Sequence, residues 1–426
     1  MDSGSVTPEI ELAGTGPVEF LKSVTGNRLV LTPRAVLAHG TRYTLTLHTT
    51  LRDAAGNTLP QRFQASFTTA AGITFQPYLN FPVAAYVSGL DMGDVNGDDR
   101  RDLVMTTASS YLLAETDADT LFIFHKGADG KLAAPQRLRI SDSVTCHASS
   151  AQVGDVTGDG QNDIVISNSG CGIMVYQRTA NGDWPRPQRI DNRDSSRIAL
   201  ADMNHDNRLD VVGFSHGGDT VTIWYQLPEG GLAAATSYPI SHPYLGTPTL
   251  GDINHDGRTD IVFTSSNGLT ATSIATTTQA ASGGFNVPVY YGTPSGTLPY
   301  SHAAIGDVNN DGRNDLVMSL TNARIGVLLQ LADGTLGPIT LRSSFLSSSG
   351  VSIQDINKDG LNDIVVSYPE HYGACGIFYQ KTGGVFDVED MYNQPGIPID
   401  ANDDGLMDLL QYTPSGISIF TGSGLP

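Results

Sequence analysis

The sequence predicts an all-β protein, a seven-bladed β-propeller with a small β-sandwich at its N-terminus. Three observations predict it. A nine-residue pattern, Asp-x-(Asn/Thr)-x-Asp-(Gly/Asn/Asp)-x-x-Asp, occurs seven times. Each copy is followed by a short apolar run, and no apolar-periodic stretch reaches helical length. Residues 1–72 lack the pattern altogether.

With 426 residues the chain has room for one large repeat array and a smaller module. The copies begin at Asp94, Asp155, Asp202, Asp252, Asp307, Asp355 and Asp400, in steps of 45 to 61 residues. Behind them come Leu103 to Met105, Ile164 to Ile166, Val211 and Val212, Ile261 to Phe263, Leu316 to Met318, Ile364 to Val366, and Leu409 and Leu410. Continuous apolarity of this length means a strand buried on both faces. A further strand-like stretch follows, as in Leu121 to Phe124, Ile173 to Tyr176 and Val221 to Tyr225, weaker around Thr270 to Thr276. Another strand precedes each loop, as in Ile198 to Ala201, so each repeat holds about four strands, the content of one blade. A small sheet cannot bury both faces alone, whereas radially packed sheets can, and seven repeats then imply seven blades. The last repeat ends soon after Phe420, too early for an outer strand of its own. Residues 73–79, from Ile73 through Tyr78, precede the first repeat without a partner and are expected to complete blade seven, closing a propeller over 73–426.

The loop itself reads as a hard-oxygen cage. Positions 1, 3, 5 and 9 supply side-chain oxygens, position 7 a backbone carbonyl, and Gly at position 6 permits a sharp turn, a set that suits Ca²⁺. The side-chain donors are Asp94, Asn96, Asp98 and Asp102 in loop 1, Asp155, Thr157, Asp159 and Asp163 in loop 2, and Asp202, Asn204, Asp206 and Asp210 in loop 3. Loop 4 offers Asp252, Asn254, Asp256 and Asp260, and loop 5 offers Asp307, Asn309, Asp311 and Asp315. Asp355, Asn357, Asp359 and Asp363 form loop 6, and Asp400, Asn402, Asp404 and Asp408 form loop 7. The position-7 carbonyls are those of Arg100, Gln161, Arg208, Arg258, Arg313, Leu361 and Leu406. An EF-hand would need Glu at position 12, where this chain has Met105, Ile166, Gly213, Phe263, Met318, Val366 and Gln411. The alternative is a metal-free Asp-rich turn held by Asx-type hydrogen bonds. Against it, carboxylates held about 4 Å apart repel by roughly 4 kcal/mol per pair at an effective dielectric near 20. About seven Ca²⁺ ions, one per blade, are therefore expected. They would offset much of a formal charge of -20, the balance of 44 acidic against 24 basic residues. Mg²⁺ fits less well because it demands stricter octahedral geometry. Weaker binding is expected where Thr157 takes position 3 and where Asp99 and Asn207 replace Gly at position 6. His205 and His255, single histidines at position 4, read as solvated loop tips rather than transition-metal ligands.

The run Gly251-Asp252-Ile253-Asn254-His255-Asp256-Gly257-Arg258-Thr259-Asp260-Ile261-Val262 resembles the FG-GAP or VCBS repeat of integrin α-subunit propellers and many secreted bacterial proteins. The resemblance covers residues 73 to 426 and implies a calcium-binding propeller. It leaves function open, since adhesins, lectins, lyases and structural proteins share the repeat.

In residues 1–72, Leu29 to Thr32, Tyr43 to Leu47 and Phe63 to Phe67 read as strands, with Asp53 to Asn57 as a turn. Alternation in Phe63, Ala65 and Phe67 suggests one buried face. Thr32-Pro33, Leu37, Gly40-Thr41-Arg42-Tyr43, Asp53 to Asn57 and Phe67-Thr68-Thr69 resemble the bacterial Ig-like domain of many surface proteins. In that family one or two strands precede the stretch resembling Met1 to Val6. The expectation is that the sequence begins inside a domain, with a signal peptide and further modules upstream. The other reading is a genuine small sandwich with an open edge that another chain can pair with.

Acidity disfavours nucleic acid and anionic membranes as partners, and no run of 18 apolar residues occurs. Cys146 lies nine residues before Asp155 and Cys171 eight after Asp163, nearly opposite each other across a hairpin, where a disulfide fits. The alternative is three reduced core thiols. Cys375 has Leu346 at the equivalent partner position and is expected to be a free, buried thiol. Gly-x-Ser-x-Gly, His-Glu-x-x-His, phosphate-loop and zinc spacings are all absent from the sequence, and carboxylates such as Glu115, Glu370 and Glu389 are scattered. No catalytic set is therefore expected. Trp184, Trp224, Tyr372 and Tyr392 are candidates for stacking on sugars, with blade packing as the commoner role. Seven equivalent loops must emerge on one face of the disc, which leaves variable segments such as Ser141 to Ala151 and Ala280 to Leu298 for recognition elsewhere. The leading expectation is an extracellular adhesion or structural module, bound to a surface protein or glycan or built into a filament or coat. Self-assembly through the N-terminal module belongs to the same reading. A glycan-binding lectin-like propeller and a polysaccharide lyase or hydrolase are the alternatives.

Overall fold

The structure, a computed structural model, describes the chain except residues 1–9, 15, 26–27, 35–36, 38–41, 53–55, 69–72, 110–116, 141–145, 194, 196, 215–219, 240–247, 265–273, 295–296, 349, 369–373, 393–395, 414–415 and 425–426. Every helix or strand among the described residues is a strand. Two compact units form, residues 1–74 with 422–426 and residues 75–421. Glu115, Glu370, Tyr372 and the turn residues Asp53 to Ala55 lie outside the described residues.

In the smaller unit, strands Ile10–Ala13, Arg42–Leu47 and Phe63–Thr68 form one antiparallel sheet with Arg42–Leu47 in the middle. Phe20–Thr25 and Arg28–Pro33 pair separately as a hairpin. Register places Ile10 opposite Leu47 and Leu12 opposite Leu45, and these in turn opposite Phe63 and Ala65, so one face is apolar across all three strands. Burial does not extend that far. Ile10 and Leu12 are 1% and 6% exposed, whereas Phe63 and Phe67 on the outer strand are 50% and 46% exposed. The expected buried face of Phe63, Ala65 and Phe67 is thus corrected: the alternation is real, but it sits on an edge strand. Phe67 stacks on Tyr43 at 5.7 Å between centroids.

Among the described residues the larger unit is built from seven four-stranded sheets and one two-stranded pair, Gln380–Lys381 with Val385–Phe386. Sheet 1 comprises Tyr86–Gly93, Asp102–Ala108, Thr120–Phe124 and Gln136–Arg139, and sheet 2 His147–Gly154, Asp163–Ser169, Gly172–Tyr176 and Gln188–Asp191. Sheet 3 comprises Arg197–Ala201, Asp210–Phe214, Thr220–Trp224 and Thr236–Pro239, and sheet 4 Thr249–Gly251, Asp260–Thr264, Ile274–Thr277 and Val289–Tyr291. Sheet 5 has Pro299–Gly306, Asp315–Leu320, Arg324–Leu328 and Thr340–Ser343, and sheet 6 has Gly350–Gln354, Asp363–Tyr368, Ala374–Phe378 and Asp390–Tyr392. In sheet 7 the chain supplies Ile397–Ile399, Asp408–Thr413 and Gly416–Gly424, and the fourth strand is Ile73–Pro82 from before sheet 1. The segment expected to complete the last sheet does so.

Each second strand is buried on both faces because alternate side chains enter different cores. Val104 packs with Ile164, Ile166 and Met174 of sheet 2, while Leu103 and Met105 pack with Leu410, Ile417 and Ile419 of sheet 7. The same alternation joins sheets 2 and 3, 3 and 4, 4 and 5, and 5 and 6. First strands approach still more closely at their ends. A Cβ on Gly306 would lie 2.8 Å from Ile353 of the next sheet, and one on Gly154 would lie 2.8 Å from Leu200. At Gly154 and Gly306 the last strand residue before the loop is therefore held to glycine by packing, whereas sheets 3, 6 and 7 carry Ala201, Gln354 and Ile399 there.

Trp184, Trp224 and Tyr392 are 8%, 1% and 8% exposed, so they pack the sheets and offer no stacking surface. Within Ala280 to Leu298, Val289–Tyr291 forms the outer strand of sheet 4, and of Ser141 to Ala151 the first five residues lie outside the described residues while His147 to Ala151 belong to the first strand of sheet 2. Cys146 and Cys171 form a disulfide with Cα atoms 5.2 Å apart, in the core between sheets 1 and 2. Cys375 is free and buried, and burial pushes its thiol up to about 12. The bridge closes a loop of sequence separation 25, for which chain entropy gives about 3 kcal/mol. Cys171→Ser should therefore lower the midpoint of denaturant unfolding by that order, and dithiothreitol should shift the parent protein but not the variant.

Candidate metal centres

All seven loops connect the first strand of a sheet to its second, and three hydrogen bonds recur in every one. The position-6 amide donates to Oδ2 of the position-1 aspartate, at 2.7 to 3.1 Å from Asp94 through Asp400. The position-7 amide donates to Oδ1 of the position-5 aspartate, at 2.7 to 3.0 Å. The position-2 amide donates to Oδ2 of the position-9 aspartate, at 2.7 to 3.3 Å. In loops 1, 3, 4, 5 and 6 the other oxygen of that aspartate accepts the amide of Lys126, Gln226, Gln279, Gln330 or Gln380, at 2.7 to 2.9 Å. Asp102, Asp210, Asp260, Asp315 and Asp363 thus tie the loop to the end of the third strand of their sheet. All are buried.

The turn needs left-handed backbone at two positions. Position 6 was legible as such, and Asp99 and Asn207 adopt φ of 62° and 61° there. Position 4 was not, yet Gly97, Gly158, His205, His255, Asn310, Lys358 and Asp403 all have positive φ. The glycine and asparagine among them were the available signal.

Charge is handled unevenly across the set. Burial pushes Asp210, Asp260 and Asp315 up to about 6 and Asp363 to about 7, and the carboxylates at positions 5 and 1 of the same loop add to the rise. At Asp94 and Asp202 burial also acts upward, but the loop amides outweigh it and hold these carboxyls below their usual range. At position 7 the arginines do something the sequence reading did not anticipate. Arg100, Arg208, Arg258 and Arg313 turn their guanidinium groups onto the position-5 aspartates Asp98, Asp206, Asp256 and Asp311. Gln161, Leu361 and Leu406 cannot do so.

The donor set fits a hard divalent cation, since each loop presents three carboxylates and an amide or hydroxyl oxygen. Asn96 Oδ1 and Asp400 Oδ1 are buried without a hydrogen-bond partner, as metal-ligating oxygens would be. The cage is not drawn together, however. Among the described residues no three His, Cys, Asp or Glu side chains are grouped closely enough to hold an ion. Thr157 takes its place in loop 2 with Gln177 Nε2 3.3 Å from its hydroxyl, and His205 and His255 are exposed. Glu389 is half-buried against Tyr368 and the Phe345 amide (2.6 Å), a structural contact rather than part of a carboxylate pair.

Neighbouring loops are linked. The position-8 side chains of Asn162, Asn314 and Asn362 donate to the position-1 carbonyls of Asp94, Asp252 and Asp307, in the preceding loop, at 2.8 to 3.0 Å. Thr259 reaches the Asp202 carbonyl at 3.4 Å. Where position 8 is Leu209, Gln226 substitutes, donating to the Asp155 carbonyl at 2.8 Å, and between loops 6 and 7 Lys358 Nζ reaches the Asp404 carbonyl. Loop 1 makes the same bond to loop 7, from Arg101 to the Asp400 carbonyl at 2.6 Å. Arg101 Nε also lies 2.7 Å from Asp403, on which the buried Lys126 converges.

The chain matches the FG-GAP-like repeat over residues 94–166, 155–213, 202–263 and 307–366, more than half its length. It belongs to the FG-GAP-like repeat family. Residues 1–69 of this FG-GAP-like protein match the bacterial Ig-like domain. None of the curated proteins matches the chain. Among solved structures, a Photorhabdus luminescens Tc holotoxin pore is similar at 16% identity and TM-score 0.44, over 93% of this chain and 18% of that one. BBS1N in complex with ARL6DN, soaked with mercury, is similar at 10% identity and TM-score 0.52, over 82% of this chain and 96% of that one. The second likeness concerns the fold alone.

The raised carboxyls set a pH dependence for the FG-GAP-like unit when metal is chelated. An acid whose folded pKa lies above its unfolded value holds its proton more tightly in the folded state, so stability falls as pH rises from about 4 through the folded value. In protein stripped of metal and kept in calcium-free buffer the melting temperature should therefore be higher at pH 5 than at pH 7, a trend that differential scanning calorimetry will read directly.

Proposed function

We propose that the protein is an extracellular, calcium-stabilised seven-bladed β-propeller that serves as a binding or structural module at a cell surface, with adhesion or assembly of a filament or coat as its role. The observation that carries this reading is the seven-fold loop, whose links run from each loop to its neighbour and from loop 7 back to loop 1. Closure has a second support. Tyr86, Ser88, Ser150, Arg197, Pro248 and Ile397, from five different sheets or their approaches, line one cavity of about 280 Å³, as first strands arranged around a common axis would.

Calcium would supply to every loop the positive charge that a position-7 arginine supplies in only four of them. The ligands would be the carboxylates at positions 1, 5 and 9 with the oxygen at position 3 and the carbonyl at position 7. In loops 1, 3, 4 and 5 the position-5 carboxylate must leave its arginine to join them. Those loops are accordingly expected to bind more weakly than loops 6 and 7, where leucine stands at position 7. Extracellular calcium at millimolar concentration suits modules of this kind. FG-GAP repeats joined to a bacterial Ig-like domain are typical of extracellular proteins. On this reading the protein acts by binding rather than by catalysis, and carboxylates outside the loops such as Asp91, Asp117, Asp119, Asp191 and Glu389 bond within the fold. The partner is a surface protein or a glycan.

Calcium content by atomic spectroscopy, with thermal unfolding before and after EGTA, tests the reading. About seven ions per chain, one per loop, and a large fall in melting temperature on chelation are expected. Asp260→Asn should remove one ion and leave the others. Fewer than two ions with no effect of EGTA would leave the loops as acidic turns and overturn the proposal.

A further inference from the structure

We infer that the cavity at the strand ends remote from the seven loops binds a neutral sugar, a hexopyranose unit of a glycan. This inference rests on the binding-module reading above and names a ligand class for it. The cavity, of about 280 Å³, is close to the lower limit of small-ligand sites and suits one sugar ring better than an extended peptide. Its lining centres on where first strands begin. Tyr86, Arg197 and Ile397 are the first residues of their strands and Pro248 precedes Thr249, whereas the loops leave from the last residue of each. Among the described residues no carboxylate lines it.

Two matched β-bulges shape the cavity. Val87 pairs with Thr107 and Gly89 with Thr106, so Ser88 is an extra residue in the first strand of sheet 1. Ala148 and Ser150 likewise pair with Asn168 and Ser167, so Ser149 is extra in the first strand of sheet 2. A bulge takes its extra residue out of the ladder and re-aims the side chain, and both serines line the cavity. The two strands touch there, since a Cβ on Gly89 would lie 2.5 Å from the Ala151 nitrogen. Polar groups are held in place as well. Ser88 Oγ lies 3.2 Å from Thr106 Oγ1 and keeps acceptor capacity, and Gln152 Nε2 donates to the Ala151 carbonyl at 2.9 Å, which orients its carboxamide. Tyr86 supplies the platform. It is 48% exposed, and its ring offers an apolar face to the C–H side of a pyranose with a polar tip beside it. Arg197 is the one charged side chain in the lining among the described residues, and its guanidinium can donate to hydroxyl oxygens. With a formal charge of -20 on the chain, an anionic glycan is the less favoured guest. An anchoring side chain of a protein partner would favour an apolar pocket, and the serines, Gln152 and Arg197 make this one polar.

Ligand-observed NMR titration of the full chain in calcium with the methyl glycosides of glucose, galactose, mannose and N-acetylglucosamine tests the assignment. At least one should bind with about millimolar affinity or better, Tyr86→Ala should weaken it about tenfold, and Ser149→Ala should weaken it a few-fold. Tyr290→Ala, which removes another exposed ring from the outer strand of sheet 4, should leave binding unchanged. Unaltered binding in either Y86A or S149A, or tighter binding of methyl glucuronide than of every neutral glycoside, would overturn the inference. Absence of glycoside binding in a sample that takes up its calcium would sink the ligand and leave the calcium reading intact. A sample that takes up neither would sink both.

Discussion

Everything in the larger unit depends on an aspartate that has been taken out of water. The position-9 carboxylate sits at the base of each sheet, and through backbone amides it fixes where the loop begins and, in five loops, where the third strand ends. A neutral side chain of similar size would satisfy fewer donors, since an ionised carboxylate accepts at two oxygens. The same burial makes the charge costly. Two amides per carboxylate offset part of that cost, and the upward pull on Asp210, Asp260, Asp315 and Asp363 shows that they do not offset all of it. A proton or a cation must supply the rest. On the reading proposed here the cation does so outside the cell, which makes calcium part of the folding energetics rather than an accessory.

The seams between sheets show the same economy in a second form. Most are sewn by neutral donors, Asn162, Asn314, Asn362, Thr259 and Gln226, each aimed at a carbonyl of the preceding loop. The junction of loops 1 and 7 instead brings Arg101 and Lys126 onto Asp403, and between loops 6 and 7 the donor is again a lysine. The junction of loops 1 and 7 joins residues some 300 apart in sequence, where no short connection holds the partners together. Charge-assisted bonds are stronger than neutral ones and suit a seam that must form without help from chain connectivity. Lys126 is the telling case, because a lysine this deeply buried is tolerated only when paired.

Much of this fold was legible. The repeat announced the number of sheets, the apolar runs announced their second strands, and Ile73 to Tyr78 went where an unpartnered strand had to go. Legibility failed where the outcome depended on which neighbour a residue would meet. Phe63, Ala65 and Phe67 alternate as a buried strand should, but alternation reports which face a side chain takes and not whether anything covers that face. Position 4 of the loop escaped notice because its occupants differ chemically and share only a backbone angle. The position-7 arginines were read as carbonyl donors alone, since a motif defined by its oxygens says nothing about cations placed beside them.

That omission bears on where recognition can occur. A face whose charges are consumed in holding loops together, carboxylate to amide and carboxylate to arginine, has few side chains left to offer a partner. The tryptophans are likewise spent on packing, with Trp224 donating its Nε1 proton to Asp191 at 3.1 Å in the seam between sheets 2 and 3. On the binding reading proposed here, recognition is then left to side chains outside these bonds, such as the exposed Gln188 and Arg189 on the outer strand of sheet 2, whose neighbours Ile190 and Asp191 serve the interior by packing on the core and by anchoring Arg193 and Trp224.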